Sequence, residues 1–363
     1  MVANHAITTA WEAYNLSLQG RAHLPSRLVE LSMRSMSDLE GEDLIVSPGP
    51  EEGLPPPDDP EPLYLTLEGS REFRLVPIRP LRAETTVVGV DASSIRLGET
   101  GAGIIVALRG AVVWRRYGSC RYLRMGPLLF HVTEQNRAEI YNALRRFCLG
   151  LPERQRAPSL PYMPLKMANL FEQWVREVAC SLSSDAILLL DGSLSAGPDG
   201  TSAALARLLE LARANSNVVM AISKTSKLSV MGKKLLDLLN GFPGPCLLEL
   251  GGQLLPAFSG VKYFGRVYVA KLSPASYPFR LDIDAGLPRE IGIDAVRALV
   301  ANDAVYQGYP EVLRLAHIMA TFTAPEVVAM QLMLSRAYGL RIIQRSDVRK
   351  LLFGPFGTGG RGP

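Results

Sequence analysis

Four kinds of residue pattern are scarce or missing in the 363-residue sequence, and each absence narrows the reading. The four cysteines, Cys120, Cys148, Cys180 and Cys246, form no CxxC pair and stand beside no histidine, which argues against a disulfide framework and against a zinc ribbon. No run of about 18 uncharged apolar residues occurs, and the opening MVANHAITTAWEAYNLSLQG has neither the basic start nor the apolar stretch of a secretory signal. The expectation is therefore a cytoplasmic protein without a membrane partner. Charge of one sign is also scarce: 39 basic against 35 acidic residues leave a net charge of +4, a mild bias toward a polyanion. No internal repeat is present. What the chain does have is apolar residues at 47%, enough for a sizeable core.

Residues 45 to 62, VSPGPEEGLPPPDDPEPL, combine proline with acids and support neither a helix nor a central strand. They divide the chain into an N-terminal helical arm with its linker, 1–63, a core domain, 64–337, and a tail, 338–363, whose Gly-rich end FGPFGTGGRGP is expected to fray.

The core opens with TTVVGVD, a β-branched run of the kind buried on both faces, with Asp91 at its C-terminal end. GAGIIVALRG and AVVWRRYGSC read as a β-hairpin turning at Arg109-Gly110, followed by a strand PLLFHVT. A helix over about 134–148 and a longer one over about 164–184 precede a second apolar strand, Ile187 to Leu190, that ends at Asp191. A helix over 201–215 and a third buried strand, Val218 to Ile222, complete a βαβ pattern. KYFGRVYVAKL and FRLDI alternate like outer strands, and helices near 289–302, 310–323 and 325–337 close the domain. The fold class is α/β: a mixed sheet flanked by helices, with the N-terminal arm and an added hairpin.

Two of these strands end in aspartate followed by small residues, VGVDASS and LLLDGSL, and the C-terminal strand ends of an open α/β sheet are where ligands bind. Two carboxylates there make a hard, oxygen-rich site suited to Mg²⁺ or Mn²⁺. The competing reading is that each aspartate caps the turn that follows it. Glu172 and Glu177, on the helix before the second strand, are both third-carboxylate candidates. Lys224 follows the third strand and could neutralise phosphate charge. Lys227, Lys233 and Lys234, read as lying on the next helix, extend the positive surface. His317 lies on PEVLRLAHIMATF, eight residues beyond Tyr309, where imidazole could bind a metal or protonate a leaving alcohol. Arg109, Arg115, Arg116, Arg121 and Arg124 interleave with Trp114, Tyr117 and Tyr122, which suits either a single-strand path or a solvated hairpin face.

Taken in order, VGVDASS, the LFEQW helix, LLLDGSL, AISKTSK, YPFRLDI and GYPEVLRLAH resemble the NurA nuclease domain over roughly residues 83–325. The resemblance implies an RNase H-like fold, a homodimer, and manganese-dependent cleavage of DNA: 5′ to 3′ exonuclease action on single and double strands and endonuclease action on single strands. It also implies a partner, the hexameric HerA translocase of archaeal DNA end resection and double-strand break repair. Asp91 and Asp191 would be metal ligands. Glu172 would be the helical carboxylate, because its 19-residue distance to Asp191 is closer to the family spacing than that of Glu177. Lys224, Tyr309 and His317, the last also a metal ligand, would complete the site. The DNA path would draw on Trp114, Arg115, Arg116, Arg121, Tyr122, Lys227 and Arg280. In place of the arginines common before the family glutamate, Lys166 and Asn169 stand here. Two other readings predict different chemistry: an RNase H-fold phosphotransferase would bind ATP tightly, though Gly251-Gly252 makes no clear adenosine motif, and a non-catalytic DNA-binding scaffold would bind no metal.

Overall fold

The computed structural model describes residues 24–46, 65–67, 73–81, 84–151, 154–197, 201–224, 226, 228–230, 233–250, 261–274, 276–303 and 305–345. Eleven strands form one sheet: β1 (Asp43–Val46), β2 (Phe73–Pro77), β3 (Thr86–Glu99), β4 (Gly103–Arg116), β5 (Ser119–Thr133), β6 (Ala186–Asp191), β7 (Val218–Ser223), β8 (Cys246–Leu250), β9 (Gly265–Lys271), β10 (Phe279–Asp284) and β11 (Arg341–Gln344). The helices that flank it are α1 (Ser26–Ser35), α2 (Arg137–Leu149), α3 (Met163–Ser181), α4 (Thr201–Ala214), α5 (Arg289–Asn302), α6 (Glu311–Ala320) and α7 (Ala324–Tyr338).

Strands β5, β4 and β3 lie side by side antiparallel; β6 pairs parallel with β3 from Thr86↔Ala186 to Val90↔Leu190, and β7 pairs parallel with β6. The spatial order β5-β4-β3-β6-β7 is that of an RNase H-like core. Antiparallel β10, β9, β8 and β2 widen the sheet beyond β7.

Because side chains alternate across a strand, the apolar runs fill two cores. Val88, Val90, Leu188 and Leu190 face α2, α3 and α4 with Leu144, Phe171, Val175 and Leu208. Val87, Ile187, Leu189 and Ile222 face α5 and α6 with Val296, Leu299, Val312 and Ala316. Gly89 shares the second face, and no side chain fits there: a Cβ at this position would stand 2.5 Å from the carbonyl oxygen of Val312.

Three local expectations are corrected. Asp91 is not at the end of its strand, because β4 pairs with β3 along nearly its whole length and carries it on to Glu99. Asp91 marks instead the point where β6, on the opposite edge, stops pairing. Arg109-Gly110 is not a turn; β4 runs through it with only a register shift against β5, and the hairpin turns at Tyr117 and Gly118, both at positive φ. Gly110 is there for packing, since its Cβ would meet Val175 of α3 at 2.5 Å. Lys233 and Lys234 lie in a short strand paired with Ser229 and Val230 rather than on a helix.

β1 and β11 pair parallel with one another, and Ile45 of β1 pairs with Glu99 of β3, so elements from both sides of the expected 63/64 and 337/338 boundaries join one sheet. By length and composition Glu311–Tyr338 would suffice to cross a membrane. The segment is instead two helices broken at residues 321–323, where Thr323 and Glu326 form a capping box for α7, and α6 buries Val312, Leu313 and Ala316 in the second core.

Candidate active site

β3 and β6 each deliver a carboxylate at the same level of the sheet and on the face that carries α6. Asp91 is mostly buried; one carboxylate oxygen accepts the Ala92 N–H at 2.8 Å, and the other lies 2.8 Å from His317 Nδ1. His317 is brought there by α6, which sits close because Gly89 permits it. Ser93 fixes the far end of the same helix by donating to the Ala320 carbonyl at 2.6 Å. Burial pushes the Asp91 carboxyl above its ordinary value, opposed by His317 and the Ala92 N–H and reinforced by Asp191.

Asp191 ends β6, and Gly192 at φ +106° turns the chain away. Ser223 of β7 donates to the Gly192 carbonyl at 2.6 Å, which holds this turn against the neighbouring strand end. One residue on, Lys224 places its Nζ 2.7 Å from Asp191 Oδ2 and 5.0 Å from the centre of the Tyr309 ring. Tyr309 follows a turn in which Gln307 and Gly308 both have positive φ, the geometry of a tight hairpin between Val305–Tyr306 and Tyr309–Pro310. Burial, then the charge of Asp191 and a hydrogen bond to it, push the Tyr309 phenol well above its usual range, so it stays protonated and can donate.

Glu172 enters from α3, held at Oε1 by Arg176 Nη2 at 2.5 Å and Nε at 3.1 Å. Its carboxyl is raised mainly by burial, is lowered by Arg176, and is raised further by both Asp91 and Asp191. Glu177 binds Arg207 of α4 at 2.6 Å instead. Of the two helical acids, Glu172 is the one that shares a field with the aspartates.

The structure therefore brings together Asp91, Glu172, Asp191, Lys224, Tyr309 and His317 from separate elements. Among the described residues no three His, Cys, Asp or Glu side chains converge closely enough to chelate an ion. Each acid is held by a cationic or imidazole partner: His317, Arg176 or Lys224. Sequence reasoning passed over Arg176, although its position four residues after Glu172 on a helix was a signal for this pair. It also passed over Ser93 and Gly89, whose roles depend on α6 lying across β3.

The expected DNA surface divides. Arg280 is fully buried and bonded twice to Asp282 at 2.8 Å, so it cannot reach DNA. Arg115 bonds the Asn302 carbonyl at 3.3 Å and lies 3.6 Å from buried Asp303, bracing the end of α5. Trp114 donates to Ser183 at 2.9 Å while packing on the first core, and Tyr122 packs on the second. Arg109 and Arg124 both pair with Glu326 of α7. Arg116 and Arg121 remain exposed at the hairpin end; Lys227 lies outside the described residues, as does Gly251-Gly252.

No curated protein sequence matches the chain. Among solved structures it is similar to the NurA nuclease from Sulfolobus solfataricus, with a TM-score of 0.47 and 16% identity over 72% of this chain and 87% of that one. It is also similar to a NurA bound to dAMP and manganese (TM-score 0.38, 9% identity, 70% and 90% covered) and to an endonuclease V from Streptomyces avermitilis (0.34, 13%, 71% and 86%). The family model described as the NurA domain matches residues 85–322, a span that contains every residue of the cluster just described, and the chain belongs to that family.

Proposed function

We propose that this protein is a metal-dependent DNA nuclease whose centre is Asp91, Glu172 and Asp191 with Lys224, Tyr309 and His317. One observation carries the reading: Asp91 of β3 and Asp191 of β6 stand at the same level of the sheet on the face of α6, where His317, Lys224 and Tyr309 close on them and Glu172 of α3 shares their field. In the metal-free chain His317, Arg176 and Lys224 offset the repulsion among these acids, a place that a bound cation would share. The donor set is oxygen-rich with one imidazole, which fits Mn²⁺ or Mg²⁺ in kind. Asp91, Asp191 and Glu172, with His317, would hold the ion. When bound, such an ion lowers the pKa of a coordinated water and draws charge from a phosphate oxygen.

The protein's own groups supply the rest. Lys224, at the sheet edge, stabilises negative charge on the phosphate during attack. Tyr309, kept protonated, donates a hydrogen bond that orients the phosphate. His317 holds its imidazole through Nδ1 against Asp91, and its other nitrogen would bind the ion or, where it does not, protonate the departing alcohol.

The finer activity we infer is the one that NurA membership predicts: 5′ to 3′ exonuclease action on single- and double-stranded DNA, single-strand endonuclease action, manganese as the preferred metal, a homodimer, and work in the cytoplasm beside a HerA translocase in end resection. The test is degradation of 5′-labelled and 3′-labelled single-stranded DNA by wild type and Asp91→Ala with Mn²⁺, Mg²⁺ or EDTA. Metal-dependent cleavage lost in the variant supports the reading, and the surviving label gives polarity. No cleavage under any condition, or full activity in the variant, overturns it. Co-migration with a HerA translocase tests the partnership separately.

A further inference from the structure

Next to the catalytic cluster, the loop that leads into β10 carries Tyr277, which is 70% exposed. A single exposed aromatic is ordinary; its placement here is not. Gly308, in the turn that presents Tyr309, has φ +90°, and a Cβ on it would stand 2.5 Å from Ser276 Cβ and 3.0 Å from the Tyr277 carbonyl oxygen. The two turns are thus pressed together. Ser276 donates to the Ser273 carbonyl at 2.9 Å and closes the loop on itself. Two residues past Tyr277, at the start of β10, Phe279 packs its ring 5.7 Å from that of Tyr309. Tyr309 in turn meets the Lys224 ammonium, which holds Asp191.

An exposed ring on one turn thus adjoins the turn whose Tyr309 ring packs on Phe279 and meets the Lys224 ammonium, with Asp191 beyond. Aromatic faces with a cation alongside suit unpaired nucleobases, because a base inside a duplex has both faces stacked and a terminal pair is held to its partner strand, so neither turns freely onto a side chain. Resting on the nuclease reading for its substrate, we propose that Tyr277 is the stacking platform for an unpaired base adjoining the scissile phosphate, and that it favours single-stranded over duplex DNA at this site. The substrate base lies on the Tyr277 ring while the neighbouring phosphate reaches Lys224. The stack positions the strand and takes no part in the chemical step.

The test compares Tyr277→Ala, Tyr277→Trp and Tyr277→Phe with wild type. Fluorescence anisotropy with labelled oligo-dT in EDTA reads stacking without cleavage, and steady-state assays with Mn²⁺ read KM and kcat on single-stranded and blunt duplex DNA. Tyr277→Ala is expected to weaken oligo-dT binding and raise KM for single strands about 5- to 100-fold, with kcat and the blunt-duplex KM little changed. Tyr277→Trp and Tyr277→Phe should restore binding, since the ring and not the hydroxyl is used. Oligo-dT binding by Tyr277→Ala within twofold of wild type overturns the platform, as does an equal loss on duplex. A wild type that binds oligo-dT through Tyr277 yet cleaves nothing overturns the nuclease reading and leaves the platform standing.

Discussion

Replacing Gly89 with alanine tests whether the close approach of α6 to β3 is what assembles Asp91 and His317, the pair proposed for catalysis. The added Cβ would stand 2.5 Å from the Val312 carbonyl oxygen, 2.6 Å from its carbon and 3.0 Å from Leu313 N. All three are backbone atoms, so no rotamer change relieves the clash. Ordinary contact begins near 3.4 Å, and the helix must withdraw by about 0.5–0.9 Å. His317 lies one turn further along α6, and its 2.8 Å contact with Asp91 would stretch past about 3.2 Å, the outer limit of a good hydrogen bond. Overpacking of this kind costs about 1–3 kcal/mol of stability. Misplacing a catalytic group by nearly 1 Å costs on the order of 100-fold in rate. Gly98→Ala is the control: its Cβ would meet Leu44 Cδ1 at 2.6 Å and the Ile45 carbonyl oxygen at 2.8 Å, a comparable clash beside β1. Thermal melting together with kcat on single-stranded DNA should show both variants destabilised but only Gly89→Ala slowed. Wild-type kcat in a folded Gly89→Ala, or an equal loss of kcat in Gly98→Ala, refutes the argument.

Two further outcomes are expected. Asp91 and Glu172 both have carboxyls raised by burial, so the metal-free folded chain binds more protons than the unfolded chain between the ordinary and the raised values. Their contribution to stability therefore falls as pH rises through that window. In EDTA, the double variant Asp91→Asn, Glu172→Gln should gain melting temperature over wild type, and the gain should grow from about pH 4 to about pH 7; a gain that shrinks over that range contradicts the assignment. Asp282→Ala leaves buried Arg280 without a partner that makes two 2.8 Å bonds and deprives the Leu194 N–H of its acceptor, and urea unfolding should register a loss of about 3–5 kcal/mol. A loss under about 1 kcal/mol would return Arg280 to the pool of available cations.

Much of the site was legible because two signals coincide in it. Val87, Val88 and Val90, like Ile187 to Leu190, are apolar on both faces, and a strand of that kind has no packing reason to continue into aspartate. Tyr309 entered through resemblance alone, and His317 was singled out from its helix but given its place in the site by resemblance, since a lone histidine on an apolar helix is ordinary in composition. Arg280 was misjudged for the converse reason: a basic residue near a nuclease motif looks available, but the alternation of β10 turns it inward to Asp282. Arg115 was misjudged in the same way, as it points back to brace α5, and Arg109 of the same stretch braces α7, whereas Arg116 and Arg121 stay exposed.

The sequence by itself determined the βαβ core elements and their order, because periodicity and β-branching are local properties of the chain, while the short strands β1, β2, β8 and β11 carry too little pattern to be read that way. It determined that an acid would stand where β6 stops and that another would follow the apolar run of β3. Tertiary structure alone decided which residues meet. β1 and β11 pair although they are almost 300 residues apart, Arg109-Gly110 reads as a turn until α3 is seen to need the space, and Glu172 is chosen over Glu177 by the direction each takes from the same helix. These outcomes depend on which surfaces are buried against one another, a matter of packing between distant segments that no window of sequence contains.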